Sequence, residues 1–341
     1  MSKSRISVAV VGAGYWGPNL IRNFSELDTC KVSWVCDRKE GRRRYVQEQF
    51  PGIPVTDKLD QVLTDAHIDA VVVATPVSTH HSIALEALRA GKHVWIEKPL
   101  AHTVSAAKEI VLEAKARGLV LATDHLFVYN PAIAKAKEII SQGDIGELCY
   151  AESGRVNLGP PASEVDVVWD LATHDLAITY YLWERSPVEL VAYGHRFKHP
   201  ELIDVAFIHL HFEDGTTAVH HVSWLCPEKT RRYFVAGRKG SLMFDDTQEE
   251  KRLHLIDQGV DSRIGAKDEE VREFFYKPGQ VSFPDLDQVE PLRAACENFL
   301  NCIHNGENLR ADGEAGLAVV RMLEAAEHSI AQGSTAIKLT Y

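Results

Sequence analysis

The chain has 341 residues, 45% hydrophobic and 25% charged, with a formal net charge of −11. That length exceeds what one compact core usually serves and implies two domains. The acidic balance opposes a nucleic-acid partner, and no apolar run reaches the about 20 residues that span a bilayer.

The N-terminal MSKSRISVAVVGAG runs directly into a strand and reads as having no secretory leader. Six cysteines without a C-x-x-C motif read as free thiols of a reducing cytoplasm. From there strand and helix alternate: ISVAVV (6–11), a helix over 16–24, KVSWVC (31–36), and a charged helix reaching 49. DAVVVAT (69–75) is apolar throughout, as suits a parallel sheet covered on both faces. A helix over 79–90 follows, then HVWI (93–96), a helix over 104–116 ending at Gly118, and LVLAT (119–123).

After Asp124 the pattern changes. Helices are expected over 131–141 and 170–183, with several short strands between 187 and 244. VAFIHLHF-EDG-TTAVHHVSW reads as a hairpin turning at Asp214-Gly215. Residues 245–288 show no periodicity and receive no element, and helices over 290–304 and 312–332 close the chain. The expected class is α/β. A Rossmann doubly wound parallel sheet occupies 1–123, and a substrate-binding and oligomerisation α+β domain occupies 124–341, built on an open, mostly antiparallel sheet. An open sheet leaves one face uncovered, so a homodimer or homotetramer through that sheet is expected.

Gly12-Ala13-Gly14-Tyr15-Trp16-Gly17 lies between the first strand and the first helix. There the glycines allow a tight turn and bring backbone N–H groups to a pyrophosphate at the helix start. Asp37 ends the second strand, 20 residues beyond Gly17, where an acid accepts from a ribose hydroxyl and repels a 2′-phosphate. NAD is therefore the expected cofactor, with Arg38 and Lys39 weakening the exclusion of NADP. Thr75-Pro76 leaves the next strand at the same binding edge, followed by His80 and His81.

Glu97-Lys98-Pro99 ends the strand HVWI at this edge, so Lys98 faces the cofactor crevice rather than a core. Oxidising an alcohol needs a group to take the hydroxyl proton as hydride leaves, and histidine suits the task. Asp170 and His174 stand four residues apart on an expected helix and share a face. The carboxylate there would orient the imidazole. As isolated features, Asp170 reads equally as a helix cap and Asp37 likewise.

GAGYWG (12–17), TPVSTH (75–80), AGKHVWIEKP (90–99) and DLATH (170–174) together resemble the GFO/IDH/MocA oxidoreductases. The resemblance covers essentially the whole chain. It implies a cofactor set of Gly12, Gly14, Tyr15, Trp16, Gly17, Asp37, Arg38, Thr75, Pro76, His80, Glu97 and Lys98. It also implies a catalytic Lys98 hydrogen-bonded to the reacting oxygen, His174 as acid/base, Asp170 tuning it, and a cis Lys98–Pro99 bond. GYWGPNLIRNF (14–24), WDLATHDL (169–176) and residues 290–317 are similar to members acting on nucleotide-linked sugars such as UDP-N-acetylglucosamine. Those members oxidise the 3-hydroxyl in making bacterial surface polysaccharides.

Asn130, Arg155 and Asn157 are candidate sugar contacts alongside Lys98 and His174. With a two-residue turn, His209 would face His220 and His211 would lie diagonally on that face. No carboxylate or thiol stands at ligand spacing, so no metal is expected. Two other functions fit the same scaffold: a free polyol or sugar dehydrogenase or ketoreductase, and a non-enzymatic NAD-sensing regulator. Lys98, Asp170 and His174 occurring together argue against the regulator, which needs none of them.

Overall fold

The computed structural model describes residues 5–159, 165–257, 259–264, 272–277 and 279–341. The chain forms two compact units. The first opens with β1 (Ile6–Val11), α1 (Gly17–Ser25), β2 (Cys30–Cys36), α2 (Glu40–Gln49), β3 (Val55–Thr56) and α3 (Leu59–Leu63). It continues through β4 (Ala70–Val73), α4 (His80–Arg89), β5 (His93–Ile96), α5 (Val104–Arg117) and β6 (Leu121–Thr123). The six strands are parallel in the order β3-β2-β1-β4-β5-β6, a doubly wound sheet. Val71, Val72 and Val73 are all fully buried, because helices cover both faces. Local chemistry sets the helices: α5 starts where the Thr103 hydroxyl accepts the Ala106 N–H, buries Ala107, Ile110, Val111 and Ala114 on one stripe, and stops at Gly118 (φ +64°).

The second unit contains α6 (Pro131–Gln142), β7 (Leu148–Leu158), α7 (Thr173–Trp183), β8 (Glu189–His195), β9 (Val205–His211) and β10 (Thr217–Ser223). β11 (Leu225–Gly237), β12 (Ser241–Asp245), β13 (Leu253–Ile256), β14 (Gly259–Ile264), β15 (Arg272–Lys277) and β16 (Val281–Ser282) follow, with β17 (Ile337–Lys338) near the end. Nine of these strands form one sheet in the order β16-β13-β12-β11-β7-β10-β9-β8-β17. β7 and β10 run parallel, and the other neighbours antiparallel. β14 and β15 pair separately.

Three expectations change. The first unit extends to Asn130 rather than 123, and Val289–Glu324 returns to it with α8 (Pro291–Asn305) and the start of α9 (Gly313–Ala331). Phe299 of α8 packs edge-on against Phe24 and Trp95, with ring centroids 6.4 and 5.6 Å away. The stretch 245–288 holds β13 to β16, strands of two to six residues and too short to show a period. Finally, the Phe212 N–H donates to the Thr216 carbonyl and closes the β9–β10 hairpin around three residues, Glu213, Asp214 and Gly215, the last at φ +83°. His209 therefore faces Val219, and His220 faces Ile208 on the other side of the sheet. A one-residue register change moves each side chain to the opposite face.

Candidate active site

β1 delivers the glycine loop to the carboxyl edge of the first sheet. A Cβ on Gly12 (φ +99°) would sit 2.4 Å from the Ala74 carbonyl oxygen, and one on Gly17 2.3 Å from that of Gly12. Only glycine permits those approaches. Gly14 differs: nothing lies within 4 Å of its Cβ position, so the loop is open there toward a ligand. Asp37 fastens the loop, its Oδ2 accepting the Ala13 N–H and its Oδ1 the Lys39 N–H, each at 2.8 Å. Beside it a cavity of about 450 Å³ is lined by Gly12, Gly14, Asp37, Arg38, Thr75 and Pro76, among others. A nucleotide fits this cradle, with open space at Gly14 for phosphates and a carboxylate at the cavity wall. Tyr15 is almost wholly exposed.

His80 is buried, and its ring bridges two strand ends: Nε2 lies 2.9 Å from the Thr75 carbonyl oxygen and Nδ1 2.9 Å from that of Pro99. Burial lowers its pKa, while the Thr75 and Pro99 carbonyls oppose this, and the ring braces the turn carrying Lys98. The Lys98–Pro99 peptide is cis.

The end of β5 gathers charges that the sequence reading did not assemble. Asp124 and His125 are buried directly after β6, and the Trp16 indole donates to Asp124 Oδ2 at 3.1 Å. Glu97 Oε2 accepts the Lys98 N–H at 3.1 Å. Burial, then the adjoining Asp124, pushes the Glu97 carboxyl well above its ordinary range, while the charge on Lys98 opposes this. Burial, with Lys98 adding to it, holds His125 neutral with a pKa of about 3. Both missed residues follow a strand at the same edge as Lys98, and that placement was the available signal.

In the second unit, Asp166 accepts the N–H groups of Val168 (3.0 Å) and Trp169 (3.2 Å) and starts a π-helical turn, Val168–Ala172. Asp166, not Asp170, thus caps this end, and burial pushes its carboxyl up to about 6. The expected helix is a π turn leading into α7, a form frequent at functional sites. Asp170 lies in that turn and accepts the Trp224 indole N–H at 3.2 Å; His174 is half-buried in the first turn of α7.

Arg155 is not on an exposed strand face. It is buried, with Nε and Nη2 donating to Asp175 Oδ1 at 3.1 and 2.8 Å. Ser153 Oγ donates to the other oxygen at 3.0 Å and meets His220 Nδ1 at 2.8 Å. Burial lowers His220 to about 4, and Thr179 takes its Nε2 at 3.1 Å. The guanidinium is thus spent on a core network rather than on a sugar. Asn157 is half-buried, with its amide on the Leu158 carbonyl, and Asn130 is buried at the end of the first unit's opening segment. The His209 and His211 rings lie tilted with centroids 4.1 Å apart, and His209 bonds Thr217, separated from His220 by the sheet.

Residues 6–125 match an oxidoreductase family with an NAD-binding Rossmann fold, GFO/IDH/MocA, and residues 133–243 match its C-terminal domain. The chain belongs to the GFO/IDH/MocA oxidoreductase family. It is 32% identical over 322 residues to the UDP-N-acetylglucosamine 3-dehydrogenase of Acidithiobacillus ferrooxidans, covering 91% of this chain and 93% of that protein. A solved structure of the enzyme of that name from the same organism, GnnA, superposes with a TM-score of 0.83 at 26% identity, covering 97% of this chain and 99% of that one. The scyllo-inositol 2-dehydrogenase of Bacillus subtilis is 25% identical over 89% of this chain and 87% of its own length.

Proposed function

We propose that this NAD-dependent dehydrogenase oxidises a hydroxyl, that of C3, on a nucleotide-linked sugar such as UDP-N-acetylglucosamine, in the making of a surface polysaccharide. The observation that carries the reading is the near full-length likeness to a UDP-N-acetylglucosamine 3-dehydrogenase, with GAGYWG, EKP and DLATH present as written. NAD, when bound, supplies the hydride acceptor. Lys98 donates a hydrogen bond to the oxygen that becomes a carbonyl. His174 takes the hydroxyl proton and becomes imidazolium, and Asp170, its carboxylate set by Trp224, steadies that cation. Gly14 leaves room for the phosphates and Asp37 holds the glycine loop.

The likeness to an inositol dehydrogenase supports a second reading, a free polyol as substrate. Incubation with NAD and a panel of UDP-sugars, dTDP-sugars and inositols, followed at the NADH absorbance, separates the two. Turnover confined to free polyols would overturn the first. The cytoplasm suits six free cysteines. We also propose that a second copy packs on the sheet face bearing exposed Tyr150, Tyr193, Phe207 and Val219. A monomeric mass by light scattering at micromolar concentration would refute that assembly.

A further inference from the structure

The register of β5 and β6 sets two carboxyl groups side by side. Ile96 pairs with Thr123, and the Asp124 N–H donates to the Ile96 carbonyl at 2.8 Å. Glu97 and Asp124 come next on these neighbouring strand ends, each with a buried carboxyl. Two ionised carboxylates cannot hydrogen-bond to each other, because each only accepts. A bond between them needs a proton on one.

The remaining atoms locate it. Glu97 Oε2 takes the Lys98 N–H, and Asp124 Oδ2 takes the Trp16 indole N–H. Glu97 Oε1 and Asp124 Oδ1 are both shut off from solvent, and among the described residues no N–H or O–H donor reaches either. A single proton between the two carboxyls completes every oxygen of the pair. Buried polar atoms are rarely left unmatched, which makes this the economical assignment.

We propose that Glu97 and Asp124 share one proton, and that the resulting singly charged pair is the counter-ion that positions Lys98. The charge count agrees. Lys98 brings one positive charge and the pair one negative, while His125 is neutral. Among the described residues, the Tyr129 hydroxyl and the Cys296 thiol also face Asp124, both raised by burial and therefore neutral. A doubly ionised pair would leave a net buried negative charge, which is costly. The pair as a whole thus carries one proton and one negative charge. Because Trp16 belongs to the glycine loop, that loop is hydrogen-bonded to the counter-ion of the lysine.

The role of Lys98 in turnover is taken from the reading above, whereas the proton itself can be read without turnover. Infrared spectra of the ligand-free protein at pH 7 should show a carboxylic-acid carbonyl band that shifts in D2O and is missing in E97Q. Gln offers an N–H where the proton was, so E97Q should unfold near the wild-type temperature and E97A well below it. Superimposable spectra of wild type and E97Q, or an E97Q as destabilised as E97A, would overturn the shared proton. The double variant E97Q/D124N keeps the shape but removes the charge, and should lower kcat and raise KM for the sugar as K98A does. Wild-type kinetics in E97Q/D124N beside an impaired K98A would overturn the positioning role. An unimpaired K98A would instead overturn the role given to Lys98, while the infrared band still reports the proton.

Discussion

Replacing Asp175 with alanine should destabilise the second unit severely. The carboxylate is 1% exposed and receives three hydrogen bonds, two from Arg155 and one from Ser153. Its loss removes the carboxylate from beside a guanidinium that is itself 3% exposed. Breaking a buried pair by removing one partner costs about 3–5 kcal/mol. At about 2–4 °C per kcal/mol for a unit of this size, the transition should fall by roughly 6–20 °C. Differential scanning calorimetry of wild type and D175A measures this directly. The double variant R155M/D175L should recover much of the loss, because it removes both charges and keeps apolar volume. A D175A shift below about 2 °C would show that Arg155 finds another partner, and would reopen the assignment of Arg155 to the sugar.

Gly14→Ala should leave stability within about 0.5 kcal/mol, since its Cβ enters open space, yet weaken NAD binding by calorimetry. Gly12→Ala should fail to fold stably, because its Cβ meets the Ala74 carbonyl. Wild-type protein should bind NAD more tightly than NADP, and equal titrations would shift the cofactor reading to Arg38 and Lys39. His174→Ala should lose about 10²–10⁴-fold in kcat with NAD affinity retained, whereas Lys98→Ala should impair both kcat and KM. Acid should destabilise the fold through His220. Its folded pKa of about 4 lies below the unfolded value of about 6.5, so its contribution is full above that value and is lost as pH falls toward 4. The size is on the order of 3 kcal/mol. His125, at about 3, acts in the same direction, and Asp166, raised to about 6, opposes them. The protonated Glu97–Asp124 pair also opposes them, so the His220 contribution is read by difference: between pH 7 and 5 the unfolding temperature of wild type should move downward relative to that of H220Q.

The first unit was legible because a parallel sheet fixes its binding edge. Apolar strands name the layers, and whatever leaves their carboxyl ends, here Gly12, Thr75 and Lys98, faces one side. What depended on a neighbour across the fold was not legible. Asp124 acquires meaning only from the β5–β6 register that sets it beside Glu97. Arg155 looked like a polar residue on a strand because nothing local announces Asp175 as its partner. The β9–β10 hairpin slipped by one residue because Glu213 joins Asp214 and Gly215 in the loop, and that single residue relocates each histidine on the sheet. The return of Val289–Glu324 to the first unit is a long-range packing choice made by Phe299 against Trp95.

The most direct test of the central claim follows a label. UDP-N-acetylglucosamine deuterated at C3, incubated with the enzyme and NAD, should yield deuterated NADH by mass spectrometry and a 3-keto sugar nucleotide. Both should be lost in His174→Ala. Undeuterated NADH from that substrate, or NADH formed only with inositols or free sugars, would contradict the account.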